Sequence, residues 1–102
     1  MSPRIDDVTD NRDEHRFELT DDGHLAELVY RLEGDRITLV HTGVPDELGG
    51  QGIGSVLVAA ALERARRDGL TIVPRCPFAR GWLERHPDDV DGVAVDWGAG
   101  AT

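Results

Sequence analysis

Two features of this sequence could do chemistry: one thiol and one run of glycines. Cys76 is the only cysteine, and it stands between two prolines in Pro74-Arg75-Cys76-Pro77. A lone thiol is either a reactive group or an inert buried side chain, its commonest fate. Arg75, or a helix N-terminus opening at Pro77, would favour the thiolate. His41 is a second candidate, because imidazole titrates near neutral pH and can act as a general base. Its bland reading is a sheet histidine held by packing. The stretch Leu48-Gly49-Gly50-Gln51-Gly52-Ile53-Gly54-Ser55 holds four glycines in six residues. Glycines let a backbone pass close to a ligand. An apolar strand-like run, Ile37 to Thr42, precedes them, and a helix pattern from Val56 to Arg67 follows. A helix start leaves amide N–H groups unpaired and carries the positive end of the helix dipole. Strand, glycine loop and helix start together make a phosphate cradle. A turn that merely connects two elements would use glycines as well.

Two nucleotide cradles are excluded by what is missing. A P-loop requires Lys and then Ser or Thr after its last glycine. This chain has Gly54-Ser55, and all eleven of its basic side chains are arginine. A dinucleotide site requires Gly-x-Gly-x-x-Gly and an acid on the second strand. Here Gly50-x-Gly52-x-Gly54 has another spacing, and the second strand ends in Val73-Pro74-Arg75-Cys76. A net charge of −9 over 102 residues leaves no positive footprint for nucleic acid. A polyanionic ligand would rely on local amides and a few arginines, whereas a cationic amine would be attracted. No apolar run approaches the ~20 residues of a membrane span. The stretch Met1 to Asp7 has no apolar signal-peptide core. One cysteine excludes an internal disulfide and suits a reducing compartment. The expectation is a cytoplasmic protein forming one domain over residues 1–102.

The hydrophobic pattern supplies a scaffold for these residues. Residues 1–13 are mostly polar and are expected to be a flexible lead-in. Arg16 to Thr20 alternates polar and apolar, as a strand does. Asp21-Asp22-Gly23-His24 is a hairpin turn. Leu25 to Leu32 returns, Glu33-Gly34-Asp35 turns again, and Arg36 to Gly43 is a third strand. Strict alternation puts His41 on the face of Ile37 and Leu39. Val56, Leu57, Ala60, Ala61, Leu62 and Ala65 mark the apolar face of a helix. Glu63, Arg64, Arg66, Arg67 and Asp68 read as its solvated end, and Gly69 as its stop. Leu70 to Val73 is a short strand, parallel to the third through a right-handed crossover. Pro77 opens a second helix whose Phe78, Ala79, Trp82 and Leu83 face the core. It ends near His86-Pro87. Val93, Val95 and Trp97 alternate and allow one more edge strand. The fold class is α+β: an antiparallel meander, a β-α-β crossover and a closing helix.

In this arrangement the chain resembles the GNAT superfamily of acyl-CoA N-acyltransferases. Their coenzyme motif, Gln/Arg-x-x-Gly-x-Gly/Ala, lies between a strand and a helix. Gly52 and Gly54 match it, with Gly49 at its first position. The likeness is closer to the small single-domain GNAT-like proteins. These carry a His-Thr-x-Val-Pro strand end, the run Gly-x-Gly-Ile-Gly-Ser, and Cys-Pro-Phe/Tyr with a later His-Pro. This chain has His41-Thr42-Gly43-Val44-Pro45, Gly50-Gln51-Gly52-Ile53-Gly54-Ser55, Cys76-Pro77-Phe78 and His86-Pro87, in that order. The resemblance spans about residues 15–90 and leaves the tail 91–102 outside it.

The resemblance implies a cofactor, acetyl-CoA or coenzyme A, and a reaction. It implies that the two parallel strands splay to admit the pantetheine arm, which pairs with the backbone of Thr42, Gly43 and Val44. The pyrophosphate then rests on the loop Gly49, Gly50, Gln51, Gly52, Ile53, Gly54 and Ser55. With Gly49 in place of Gln or Arg, Gln51 or an arginine is left as the extra donor. The thioester points at Cys76, which takes the acyl group or protonates the leaving thiolate, and His41 is the candidate base. Phe78 and Trp82 line an acyl or adenine pocket, or form the core face of their helix. Arg80 and Arg85 meet the coenzyme 3′-phosphate, or are simply exposed. Tyr30 is a candidate acid, or packing. His15, His24 and His86 show no ligand spacing, so no metal is expected. Two functions follow. One is acetyl transfer to a small-molecule or protein amine. The other is binding of coenzyme A or acyl-CoA with little or no catalysis. The second draws on two absences, the N-terminal helices that build a GNAT acceptor site and a clearly placed acidic base.

Overall fold

The computed structural model describes residues 3–98. Residues 1–2 of the expected lead-in and 99–102 of the tail lie outside the described residues. A five-stranded sheet of order β1-β2-β3-β4-β5 organises the chain. Its strands are β1 Thr9–Asn11, β2 Arg16–Asp21, β3 His24–Glu33, β4 Arg36–Gly43 and β5 Thr71–Pro74. The first four run antiparallel to their neighbours, and β5 lies parallel to β4. Three helices follow the meander: α1 Ile53–Asp68, α2 Pro77–Arg85 and α3 Pro87–Val90. This is the expected α+β meander, crossover and closing helix. Asp22 and Gly23 both have positive φ, 52° and 78°, as a two-residue hairpin turn between twisted strands requires. Among the described residues no helix is long and apolar enough to cross a membrane.

The apolar pattern sorts the sheet into two faces. Phe17, Leu19, Ala26, Leu28, Tyr30, Ile37, Leu39 and Ile72 are buried on one of them. Leu57, Val58, Ala61, Leu62 and Ala65 of α1, and Ala79, Trp82 and Leu83 of α2, join them in one core. The opposite face carries Arg16, Glu18, Glu27, Val29, Arg31, Thr38 and His41, none of them buried. The period-2 pattern of β2 and β3 and the wide stripe of α1 are two halves of one contact.

Several parts of the chain differ from the sequence pattern. Within the expected flexible lead-in, Ile5–Asp7 forms a helical turn and Thr9–Asn11 forms β1, paired with β2. Partners distant in sequence hold β1. Tyr30 Oη donates to Asp10 Oδ1 at 2.6 Å, and Arg64 Nη1 donates to Asp10 Oδ2 at 2.8 Å. Arg64, expected at the solvated end of α1, is therefore buried, 5 % exposed, and also bonds Tyr30 Oη and Asp68. The alternation of Val93, Val95 and Trp97 yields a single parallel bridge, Ile72↔Val95, in place of a full edge strand.

A further difference is a bulge in β4, and it matters for the site. Arg31↔Thr38 and Tyr30↔Leu39 are paired, but the next pair is Val29↔His41. Val40 is thus one extra residue on β4. An extra residue shifts every later side chain to the other face. His41 turns to the open face, and Thr42, opposite buried Leu28, takes the core face. The expectation that His41 shares the face of Ile37 and Leu39 is corrected on this ground.

Candidate functional site

The strands β4 and β5 part where the glycine loop begins. They pair from Arg36↔Thr71 to Leu39↔Pro74 and no further. At the fork, Arg75 N and Cys76 N both donate to Leu39 O, at 3.0 and 2.9 Å. That shared acceptor turns the chain away from β4 and into α2. Strand β4 continues to Gly43. Among the described residues its edge from His41 to Gly43 has no partner on the β5 side. A free edge of this kind can pair with any extended chain that offers donors and acceptors.

Helix α1 starts at Ile53, earlier than the pattern from Val56 suggests, because Ile53 is itself a core residue, 2 % exposed. Gly54 and Ser55 therefore lie in the first turn. Gly52 caps the helix at φ 76°, a left-handed conformation that glycine takes without strain. Val56 N donates back to Gly52 O at 3.2 Å. Among the described residues no backbone carbonyl accepts from Ile53, Gly54 or Ser55. Three orphan donors and the positive helix end thus lie at a cleft of about 360 Å³. One wall is the segment Val44-Pro45-Asp46 with Leu48, and the other is Phe78. Leu48, 2 % exposed, pins the segment to the core. Asp46 is the one charged residue in the lining, and no arginine contributes to it. The lining offers an anion backbone donors and the helix dipole, without the arginines that the sequence reading placed beside them.

The glycines of the loop serve different ends. At Gly52 nothing lies within 4 Å of the position a methyl would take, so the backbone angle is the constraint and the space beside it stays free. At Gly54 a methyl would lie 2.8 Å from Phe78 Cζ and 2.9 Å from Cε2, so the ring is the constraint. At Gly49 it would meet Asp46 O at 3.2 Å. Of the loop residues expected to hold the coenzyme, Gln51 alone is absent from the cleft lining. It lines a smaller hollow of about 160 Å³ with Asp7, Thr20 and Asp21.

Cys76 caps the start of α2 and is 3 % exposed. Its Sγ lies 3.1 Å from Thr42 Oγ1, a contact that the bulge at Val40 makes available. Sequence patterns single out Cys76 but not Thr42 as its partner, because the pairing depends on one inserted residue. His41 is exposed on the opposite face of β4. The structure therefore brings Thr42 and Cys76 together and leaves His41 apart from them.

Other candidates have structural employment. Tyr30 Oη lies between Asp10 and Arg64, and burial, then Asp10, pushes its phenol above the ordinary range. Arg80 donates to Trp97 O at 2.9 Å and stacks on the Trp97 ring, tying the tail down. Arg85 lies along α2, its Nη1 3.1 Å from a methyl position on Gly81. Trp82 is core and stacks on His86, with ring centroids 4.0 Å apart. His15 packs edge-on to Tyr30, and His24 lies 4.0 Å from Glu47. Among the described residues no three His, Cys, Asp or Glu side chains are grouped to hold a metal.

Residues 16–92 match the model of the GCN5-related N-acetyl-transferase family. The chain belongs to this family. It is also similar to a GCN5-like protein of Staphylococcus aureus, solved in solution by NMR as a candidate N-acetyltransferase. The two are 35 % identical, and the match covers 93 % of this chain and 95 % of that one, with a TM-score of 0.67. The mixed sheet, its parallel β4–β5 pair and the flanking helices are the GNAT fold. The family match starts at Arg16, so the strand β1 precedes it. Residues 12–15 link β1 directly to β2, with no helix between them.

Proposed function

We propose that this chain binds acetyl-CoA and transfers its acetyl group to an amine. The observation that carries the reading is the continuity of three parts: the α1 cradle, the unpaired edge of β4, and the thiol at the fork. The pyrophosphate accepts from the amides of Ile53, Gly54 and Ser55. The pantetheine amides pair with β4 around Thr42 to Val44, as an added strand would. The thioester then reaches the fork beside Cys76. A nucleophilic thiol requires a base within hydrogen-bond reach. Among the described residues the partner of Cys76 Sγ is the Thr42 hydroxyl, and no imidazole or carboxylate bonds to it. This favours a proton donor to the departing coenzyme thiolate over an acylated intermediate.

A second reading, coenzyme binding with little catalysis, draws on the short β1–β2 link and on Asp46 in the cleft. Calorimetric titration with acetyl-CoA and with coenzyme A, at two salt concentrations, tests both. Micromolar binding, about −8 kcal/mol, is the expected result. Gly52→Val should abolish it, because a β-branched residue at φ 76° is strained and its side chain fills the free space. Unchanged affinity in that variant would remove the cradle from the reading. Following release of the coenzyme thiol over a panel of amines separates the two functions, since binding without turnover selects the second.

A further inference from the structure

Thr42 and Cys76 reach each other from two elements whose backbones are fixed. Thr42 pairs with buried Leu28 in the β3–β4 register. Its χ1 is restricted, as in other β-branched residues, so the strand decides where the hydroxyl lies. Cys76 is fastened on both sides of its backbone. Its N–H donates to Leu39 O and its carbonyl accepts from Arg80 N, each at 2.9 Å. The 3.1 Å contact between Oγ1 and Sγ is therefore set by the backbone and is not a meeting of two flexible side chains. Cys76 makes no side-chain bond to the start of its own helix. Among the described residues Thr42 Oγ1 and Cys76 Sγ are each other's one side-chain partner.

A hydroxyl has one proton, so the contact has two forms. If the thiol donates to Oγ1, its proton is turned toward Thr42 and away from the gap between β4 and β5. If the hydroxyl donates to Sγ, the thiol proton can be given up, and the bond survives its loss. The second form matters once sulfur carries charge. Cys76 is 3 % exposed, and a thiolate there without a donor would be an unpaired buried charge. A hydrogen bond to the charged form favours that form. Among the described residues no arginine or histidine bonds to Sγ, so the Thr42 hydroxyl supplies that bond.

We infer that Thr42 is a positioning residue for Cys76, its hydroxyl donating to Sγ and holding the sulfur as a proton donor at the fork. Its part in acetyl transfer rests on the reading above. In that reaction the amine nitrogen forms a C–N bond with the thioester carbon. The C–S bond breaks with its electron pair on the coenzyme sulfur. The Cys76 proton moves to that sulfur, which leaves as the coenzyme thiol. Cys76 remains as a thiolate that keeps the Thr42 bond. The proton lost by the amine nitrogen reaches Cys76 through water and restores the thiol. The Thr42 side chain acts through Cys76, whereas the pantetheine would use only the Thr42 backbone, so a change of side chain separates the two.

The test does not need the coenzyme. The full-length protein is labelled with carbon-13 at the cysteine Cβ, and Cys76, the single cysteine, gives one resonance. Its shift is followed against pH in the wild type, Thr42→Val and Thr42→Ser. Valine keeps the shape of the side chain and removes the hydroxyl, whereas serine keeps the hydroxyl. Loss of a hydrogen bond to a charged group should raise the titration midpoint in Thr42→Val by about one pH unit or more. Thr42→Ser should titrate with the wild type. Equal midpoints in the wild type and Thr42→Val, or a midpoint in Thr42→Ser as high as in Thr42→Val, overturn the inference. Should Thr42→Val not fold, Thr42→Ala, which adds no bulk to the core, takes its place in the same comparison. These midpoints decide the role of Thr42 whether or not acetyl-CoA binds. If acetyl transfer is found, Thr42→Val should lower kcat about tenfold or more, with the KM for acetyl-CoA within a few-fold, and Thr42→Ser should recover the rate. A raised KM with unchanged kcat would contradict a role through the thiol.

Discussion

Gly54 can be glycine for a ligand or for a neighbour, and the structure assigns it to the neighbour. The perturbation is Gly54→Ala, made in the native background and again beside Phe78→Ala. Carbon atoms pack best at about 3.5–4.0 Å. The new methyl would sit at 2.8 and 2.9 Å from the Phe78 ring, an overlap too large for small adjustments. The ring is 42 % exposed, so it can swing into solvent. Burying a whole phenylalanine is worth about 1.5–3 kcal/mol. Phe78 is partly exposed already, so losing its seat on Gly54 costs about 1–2 kcal/mol on the same scale. Alanine for glycine in a helix returns about 0.5–1 kcal/mol. The single variant should therefore be destabilised by about 0–1.5 kcal/mol on the difference of those two estimates. In the Phe78→Ala background the same change should be stabilising, by about 0.5–1 kcal/mol.

Urea unfolding of the four proteins reads this as a double-mutant cycle, with a coupling of about 1–2 kcal/mol. An equal effect of Gly54→Ala in both backgrounds would falsify the ring-packing account. The same four proteins bear on the cradle. In the double variant the three amide donors are unchanged, so acetyl-CoA affinity should fall no more than a few-fold. If affinity is lost there, the ligand and not the ring is what forbids a side chain at position 54.

Three further outcomes are expected. Cys76→Ala should keep coenzyme affinity within a few-fold and lower acetyl transfer, while an equal rate would reduce Cys76 to packing. Arg64→Met leaves Asp10 without its guanidinium; breaking a fully buried pair costs about 3–5 kcal/mol. Because Asp10 is 19 % exposed, the loss should be nearer 2 kcal/mol, or a Tm drop of about 10 °C, and a drop of only a degree or two would show that the network is not a staple. Burial, then Asp10, raises the Tyr30 phenol in the folded state. Its contribution is therefore complete below the ordinary tyrosine value, ~10, and is lost as pH rises through the folded value. Unfolding free energies between pH 8 and 11 should fall more steeply for the wild type than for Tyr30→Phe, and parallel curves would contradict the assignment.

Much of the scaffold was legible because local rules decide it. The alternation of Arg16 to Thr20, the Asp22-Gly23 turn and the apolar stripe of α1 need no distant information, and each appears close to its expected place. The order of strand, glycine loop and helix start was legible for the same reason, since the three are contiguous in sequence. Burial of Arg64 was not legible, because its partner Asp10 lies 54 residues away. An arginine among Glu63, Arg66 and Arg67 looks solvated until β1 is placed against α1. Nor was β1 itself, whose polar residues form a strand only because the edge of β2 and the Arg64 guanidinium receive them.

The fork of β4 and β5 shows how one residue assigns chemistry to a face. Without Val40 as an extra residue, alternation would set His41 beside Cys76 and point Thr42 to the open side. With it, the imidazole lies on the charged, accessible face, and the thiol is left with a neutral hydroxyl in the core. A base is useful where water can carry its proton away, and a proton donor is useful where water is excluded. On the proposed acetyl-transfer reading, the bulge keeps the thiol, the candidate proton donor, on the dry face and puts His41, the candidate base, on the wet one. No pattern of residue types along β4 contains that information, because it resides in the pairing of β4 with β3.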